Sequence, residues 1–349
     1  MKLAFIGTGK IIEDALGAVT PVSKLEKTAV FARPHSRAKA ERLAAEHGIA
    51  EIYTDYTELL EQTSADTVYI GLINSAHYSY AKEALLRGKN VILEKPLTGF
   101  AEEAEELYAL AKEKDLFLLE AITIMHAPMF YEMEKDLEKL GPVRMVLANY
   151  SQYSSRYDKY LAGQVPHAFD PEFYGGALFD INIYNVYYCV GLFGSPRAVE
   201  YYPNFGPNGI DTSGTLVLSY DGFTASLTGA KDSDSPCYVS VQGEKGWMRL
   251  NGKPNTATEL TTVYVEGEAK NLGRDAAGAI IRPIRTDVYK APEQFHRMTQ
   301  EFEDFARIIE EKDRAEADRL AKISLEVMQV LEKGRKKAGL WIDSNIKRP

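Results

Sequence analysis

The sequence predicts an α/β chain in two parts. The first is a doubly wound parallel sheet, and the second is an α+β domain with a large, mostly antiparallel open sheet. Three observations carry this. Residues 68–98 read as strand, loop, helix, turn and strand, a βαβ unit, and such units imply parallel strands. The first strand, residues 2–6, runs at once into Gly7-Thr8-Gly9-Lys10-Ile11 and a helical stretch. After residue 120 the alternation of strands and helices gives way to period-two segments, one pair of them joined by Asp221-Gly222, a strong hairpin signal. A chain of 349 residues is long enough for two cores, and the reading divides it into residues 1–121 and 122–349.

Each element follows from local chemistry. Glycines at the ends of Gly7-Thr8-Gly9 allow a tight turn and close approach of a pyrophosphate, whose charge then meets a helix N-terminus. The third glycine of the usual dinucleotide pattern is missing, because Ile12 stands there. Residues 25–32 form the next strand. Sites that prefer NAD carry an acid at this strand's end for the ribose 2′-hydroxyl. Here Ala32 is followed by Arg33-Pro34-His35-Ser36-Arg37, with no acid and two arginines in reach. Arg33 suits a 2′-phosphate, so NADP is the preferred cofactor, with NAD the other candidate. Residues 36–47 read as an Ala-rich helix stopped by Gly48, 51–53 as a short strand and 56–62 as a short helix.

In the βαβ unit, strand 68–72 leads to a helix over 76–87 with Ala81, Ala84, Leu85 and Leu86 inward; Gly88 stops it before strand 90–93. Ligands of parallel sheets bind beyond the carboxyl ends of the strands. Asn74, His77, Glu94 and Lys95 lie there. A helix over 101–114 and a strand over 116–121 complete this part.

In the second part, a helix over 128–140 ends at Gly141-Pro142. Strands are expected over 143–150, 198–202, 215–220, 224–229, 238–242, 247–250 and 258–265. Residues 291–338 are mostly helical, with Phe295, Met298, Phe302, Phe305, Ile308 and Ile309 as a core stripe. A sheet with helices on one side leaves an open face suited to a homodimer or homotetramer. Gly175-Gly176 leads into another helix, on which Asp180 and Tyr184 share one face among apolar neighbours. Such a pair either makes a buried structural hydrogen bond or carries chemistry. The tyrosines at 150, 153, 157 and 160 read as packed aromatics.

Composition excludes several classes. A net charge of -9 argues against nucleic acid as partner. No run of eighteen apolar residues spans a membrane. The chain enters a strand at residue 2, which leaves no room for a signal peptide, so a cytoplasmic location is expected and Cys189 and Cys237 read as buried free thiols. The six histidines are scattered and no metal-ligand spacing occurs.

Taken in order, Gly7-x-Gly9, Asn74-x-x-His77, Glu94-Lys95-Pro96, Glu120-Ala121 and Gly175-Gly176-x-x-x-Asp180-Ile181-x-Ile183-Tyr184 resemble the Gfo/Idh/MocA family of NAD(P)-dependent sugar and polyol oxidoreductases. The resemblance runs from residue 1 to roughly residue 250. Tyr184 stands where many members have histidine, which is similar to the glucose–fructose oxidoreductase and dihydrodiol dehydrogenase branch. Asn182 stands where that branch usually has glycine, and His126 where relatives often place arginine or an aromatic residue. These departures bear on the substrate more than on the reaction.

The resemblance implies hydride transfer between a nicotinamide cofactor and a hydroxyl or carbonyl of a sugar, polyol or cyclic diol. Lys95, Asp180 and Tyr184 would be catalytic, with Tyr184 as acid/base, Lys95 lowering its pKa by favouring the phenolate, and Asp180 orienting the group. Cofactor binding would fall to Gly7, Thr8, Gly9, Lys10, Ile11, Ala32, Arg33, Arg37, Leu72, Ile73, Asn74, His77, Glu94 and Lys95, with no metal. Rival readings on the same fold are a non-catalytic dinucleotide-binding regulator and an NAD-dependent glycosidase. The presence of Lys95, Asp180 and Tyr184 together disfavours the regulator.

Overall fold

The computed structural model describes residues 1–267, 273–293 and 296–340. Its first sheet holds β1 (Lys2–Ile6), β2 (Glu26–Phe31), β3 (Glu51–Tyr53), β4 (Thr67–Ile70), β5 (Asn90–Glu94) and β6 (Leu118–Ala121). All are parallel, in the order β3-β2-β1-β4-β5-β6. The crossover direction reverses between β1 and β4, and ligands of such sheets bind at this switch point. The connecting helices are α1 (Lys10–Ala18), α2 (Arg37–His47), α3 (Tyr56–Gln62), α4 (His77–Leu86) and α5 (Ala101–Glu113). Strand residues are apolar on both faces because helices cover both. Leu86, expected inward, is exposed: it ends α4 on the solvent side, beyond the Ala81, Ala84 and Leu85 face that meets the sheet.

After α6 (Pro128–Asp136) the chain enters the second sheet at β7 (Val143–Ser151), and a short α7 (Tyr157–Leu161) precedes α8 (Ile183–Phe193). Then follow β8 (Ala198–Phe205), β9 (Asp211–Ser219), β10 (Thr224–Ala230), β11 (Tyr238–Gly243), β12 (Gly246–Asn251), β13 (Glu259–Val265) and β14 (Ile284–Lys290). The order is β14-β13-β12-β11-β7-β10-β9-β8, antiparallel except for the β7–β10 pair. Strand β14 was not expected; its alternation is masked by charge, with Arg285, Asp287 and Lys290 among apolar residues.

Register aligns Thr224, Met145, Gln242, Trp247, Val263 and Thr286 in one row across the sheet. Met145 and Trp247 of this row are exposed, while their chain neighbours Val146 and Met248 are buried under helices. One face is thus covered and the other open. Helix α8 is buried almost throughout, as a helix apolar on all sides should be.

Helices α9 (Thr299–Glu310) and α10 (Arg314–Lys337) return to the first sheet. Phe302 meets Tyr69 edge-on at 5.2 Å, and Thr299 Oγ1 donates to the Ala18 carbonyl at 2.9 Å. Each buried phenylalanine here contributes about 1.5–3 kcal/mol. The helix begins at Thr299, with Met298 as its N-cap, rather than at 291, and the expected stripe member Phe295 lies outside the described residues. Of the two free cysteines, Cys189 is buried but Cys237 is only half-buried, on the edge of the loop before β11.

Candidate active site

The strand ends of the first sheet open on a cavity of about 710 Å³. That is within the roughly 300–1,000 Å³ usual for small-molecule and cofactor sites. Gly7, Thr8, Gly9, Lys10 and Ile11 form its floor. Gly7 has φ 125°, and a Cβ there would sit 2.8 Å from the Gly71 carbonyl oxygen, so only glycine lets β1 and β4 part so closely. The amides that open α1 follow directly, with Gly9 as N-cap. Leu72, Ile73 and Asn74 form a second wall, and Asn74 donates to the Tyr174 carbonyl at 3.2 Å, tying the first sheet's loop to the second part of the chain.

Ala32, Arg33, Ser36 and Lys39 close one end of the cavity. Among the described residues, neither the Arg33 nor the Lys39 side chain has a hydrogen bond or ion pair. Arg37 does not join them. Its guanidinium binds Glu41 at 2.8 Å, the i,i+4 pairing expected along α2, and it lines no part of the cavity. The floor, the helix N-terminus and two unpartnered cations fit a phosphorylated dinucleotide.

His77 and Glu94 also depart from expectation. His77 is fully buried, with Nδ1 2.9 Å from the Pro96 carbonyl and Nε2 3.2 Å from the Leu72 carbonyl, and burial lowers its pKa. It braces the two loops from behind rather than lining the cavity. Glu94 is buried against the Tyr69 hydroxyl, and burial raises its pKa. Both were expected at the site's edge because they follow strand ends, but their side chains turn inward.

The catalytic candidates converge where the two parts meet. Lys95 leaves β5 through a cis Lys95–Pro96 peptide. Its Nζ lies 2.9 Å from the Asp180 carbonyl, 3.1 Å from Asp180 Oδ1 and 5.1 Å from the centroid of the Tyr184 ring. Burial works against the ammonium, yet Tyr184, Asp180 and Glu94 outweigh it and hold the pKa above the usual lysine value. Asp180 keeps 39% of its side chain open and faces the cavity.

Tyr184 is buried, its ring tilted against that of Tyr150 with centroids 5.7 Å apart. Lys95 pulls its pKa down, as anticipated, but burial is the larger influence and the net shift is upward. The phenol is therefore held protonated at neutral pH. Tyr150 in turn donates to Asn255 at 3.0 Å.

Asp180 does not sit on a regular α-helix. Leu178–Asn182 forms a wider π-helical turn ahead of α8. That turn is bolted to the second sheet: Asp211 accepts from the Leu178 amide at 2.7 Å, and Asn182 donates to the Leu227 carbonyl at 2.9 Å. A Cβ on Gly229 would meet the Asn182 Cβ at 2.6 Å, so Asn182 is paired with a glycine on β10. Asn182 is thus a packing residue. His126 is buried too, its Nδ1 3.0 Å from Asp304 Oδ2, and it anchors the turn after β6 to α9.

Sequence reading missed Lys39, which shares α2 with Arg37 but faces the cavity. The acid four residues after Arg37 was a local sign that Arg37 was engaged elsewhere. It also missed Lys231, whose Nζ lies 2.6 Å from Asp180 Oδ2. No local signal marks that residue. Among the described residues no cluster of three or more His, Cys, Asp or Glu side chains is arranged to hold a metal ion.

A glycine-turn floor, a helix N-terminus and a lysine set against an aspartate and a tyrosine define a nicotinamide-nucleotide oxidoreductase. The chain belongs to the Gfo/Idh/MocA family: the model described as "Oxidoreductase family, NAD-binding Rossmann fold" matches residues 1–121, and the family's C-terminal domain matches residues 136–249. It is an NAD(P)-dependent oxidoreductase. Among curated relatives, the scyllo-inositol 2-dehydrogenase (NADP(+)) IolU of Bacillus subtilis is 32% identical over 97% of this chain and 98% of its own. The human trans-1,2-dihydrobenzene-1,2-diol dehydrogenase is 32% identical over 78% of this chain and 80% of its own. Among solved structures, the 3-ketoreductase KijD10 of Actinomadura kijaniata, in complex with NADP and TDP-benzene, shares the fold with a TM-score of 0.77 at 22% identity, covering 97% of each chain.

Proposed function

We propose that this protein interconverts a secondary alcohol and a ketone on a cyclic polyol, sugar or diol, using NADP(H) in preference to NAD(H). The single observation that carries the reading is Lys95, held by Asp180, which lines the cavity, and set over the Tyr184 ring. The nicotinamide, when bound, gives or takes the hydride. Tyr184 moves the proton at the reacting oxygen, and the Lys95 ammonium stabilises the negative charge that develops there. Asp180 fixes the lysine. Arg33 and Lys39, beside Ser36, hold the 2′-phosphate, which no acid at the end of β2 opposes. The similarity to an NADP-dependent inositol dehydrogenase supports both the ring polyol and the cofactor.

In this reading, residues 1–121 bind nucleotide and residues 122–349 bind substrate and self-associate in the cytoplasm. The open face of the second sheet, with Met145, Tyr202, Trp247 and Val288 exposed, is the surface for a homodimer or homotetramer. No helix among the described residues is long and apolar enough to cross a membrane.

The test is a screen of inositols, inososes, sugars and cyclic diols with both cofactors, followed at the reduced-nicotinamide absorbance. Turnover with a ring polyol or its ketone supports the reading. Glycoside cleavage with no net absorbance change would replace it with the glycosidase.

A further inference from the structure

We infer that Lys231 is a positioning residue of the active site, holding Asp180 so that its carboxylate serves Lys95 and Tyr184. The inference rests on the assignment of those three residues and adds a cation from the other side of the site. Lys231 follows directly on β10, and its side chain is only 3% exposed. A buried ammonium is costly unless partnered. This one has two oxygens, Asp180 Oδ2 at 2.6 Å and the Ala168 carbonyl at 2.7 Å, and it lies 4.6 Å from the Phe169 ring centroid.

The carboxylate is thereby divided. Oδ2 goes to Lys231, and Oδ1 goes to Lys95 at 3.1 Å. Fixing one oxygen fixes the direction of the other. The charge count matters as well: two ammoniums face the one Asp180 carboxylate, while the nearby Glu94 and Arg297 are of opposite sign. Without Lys231, Asp180 would offset Lys95, and the field that favours an oxyanion at Tyr184 would weaken. Burial would lift the Asp180 carboxyl, but Lys231 first and Lys95 second hold it well below the usual carboxylate range. The charged groups that face Tyr184 are Lys95, Glu94, Arg297 and Asp180, so Lys231 acts through Asp180.

The second contact widens the role. Ala168 and its neighbours Val165, Pro166 and His167 line the nucleotide cavity. One ammonium therefore ties a wall of the cofactor cleft to the catalytic carboxylate. Seating of the nucleotide against that wall and alignment of Asp180 are mechanically joined.

The experiment compares Lys231→Met, Lys231→Arg, Asp180→Asn and the double variant Asp180→Asn/Lys231→Met. Rates, pH profiles, nucleotide affinity and melting temperature are read on each. Lys231→Met is expected to lose about 10–100-fold in kcat and to move the ionisation governing kcat/KM about one pH unit alkaline. Lys231→Arg keeps the charge and is expected to restore that ionisation. In the Asp180→Asn background, removing Lys231 is expected to cost less than about threefold, because its partner is already gone. The double variant carries no uncompensated carboxylate, so this arm remains readable if Lys231→Met does not fold. An unchanged ionisation in Lys231→Met, or a large further loss in the double variant, overturns the inference. Full turnover in Tyr184→Phe or Lys95→Met would instead overturn the site assignment itself, whatever Lys231 does.

Discussion

Replacing Tyr184 by Phe deletes one oxygen and keeps the ring. The ring packs against Tyr150 and beneath Lys95, and those contacts survive the change. Among the described residues the hydroxyl has no hydrogen-bond partner, so no buried bond is broken. Removing a bonded buried hydroxyl costs about 1–3 kcal/mol; here the expected change in stability is near zero or slightly favourable. The rate should respond very differently. A general acid–base group contributes about 10²–10⁴-fold, which corresponds to about 3–5 kcal/mol of barrier. Turnover, nucleotide affinity and melting temperature are to be measured on one preparation, with affinity and melting temperature holding while turnover collapses. The upward pKa shift adds a direction: the phenol is protonated at neutral pH, so ketone reduction should hold through neutrality and fall in alkali, while alcohol oxidation climbs with pH. A Phe variant that turns over within about threefold of the parent would refute the reasoning, as would one that melts early enough to explain its lost activity.

Three further outcomes are expected. Lys95→Met should bind nucleotide yet lose at least about a hundredfold in turnover, checked by steady-state rates beside a binding titration. Arg33→Ala and Lys39→Ala should each weaken NADPH about tenfold and leave NADH unchanged, whereas Arg37→Ala should alter neither; equal losses for both cofactors would remove the 2′-phosphate assignment. Glu120 concerns stability: burial raises its carboxyl to about 7, while it accepts from the Leu97 amide at 2.9 Å and from the Tyr187 hydroxyl. Between an unfolded value of about 4.3 and that value, the folded state keeps a proton that the unfolded chain has released, so stability falls as pH rises, by about 4 kcal/mol in all. Glu120→Gln, neutral throughout, should flatten this slope in melting temperatures taken across that range; parallel curves for the two proteins would exclude the assignment.

The parallel sheet was legible because its evidence is local. Buried strands are short apolar runs, and Gly48 and Gly88 stop helices where a positive φ is needed. The second sheet was legible strand by strand but not in its order. Nothing near residues 143–151 or 224–230 announces that these strands lie side by side and parallel, since pairing at that separation is decided by the whole sheet. His77 and Glu94 show the limit of reading position alone. A strand end places a backbone, whereas burial and available partners decide which way the side chain turns.

The sequence by itself determined the glycine turn, the acid-free end of β2 and the identities of Lys95, Asp180 and Tyr184, because each depends on a few neighbouring residues. Only the tertiary structure decided that Asp180 is shared between two lysines, that Lys39 rather than Arg37 faces the cavity, and that burial outweighs Lys95 in setting the state of Tyr184. Those facts depend on side chains brought together from 51 and 85 residues away and on the water excluded between them. Charge in a low-dielectric pocket is a property of the assembled neighbours, and no window of sequence contains them.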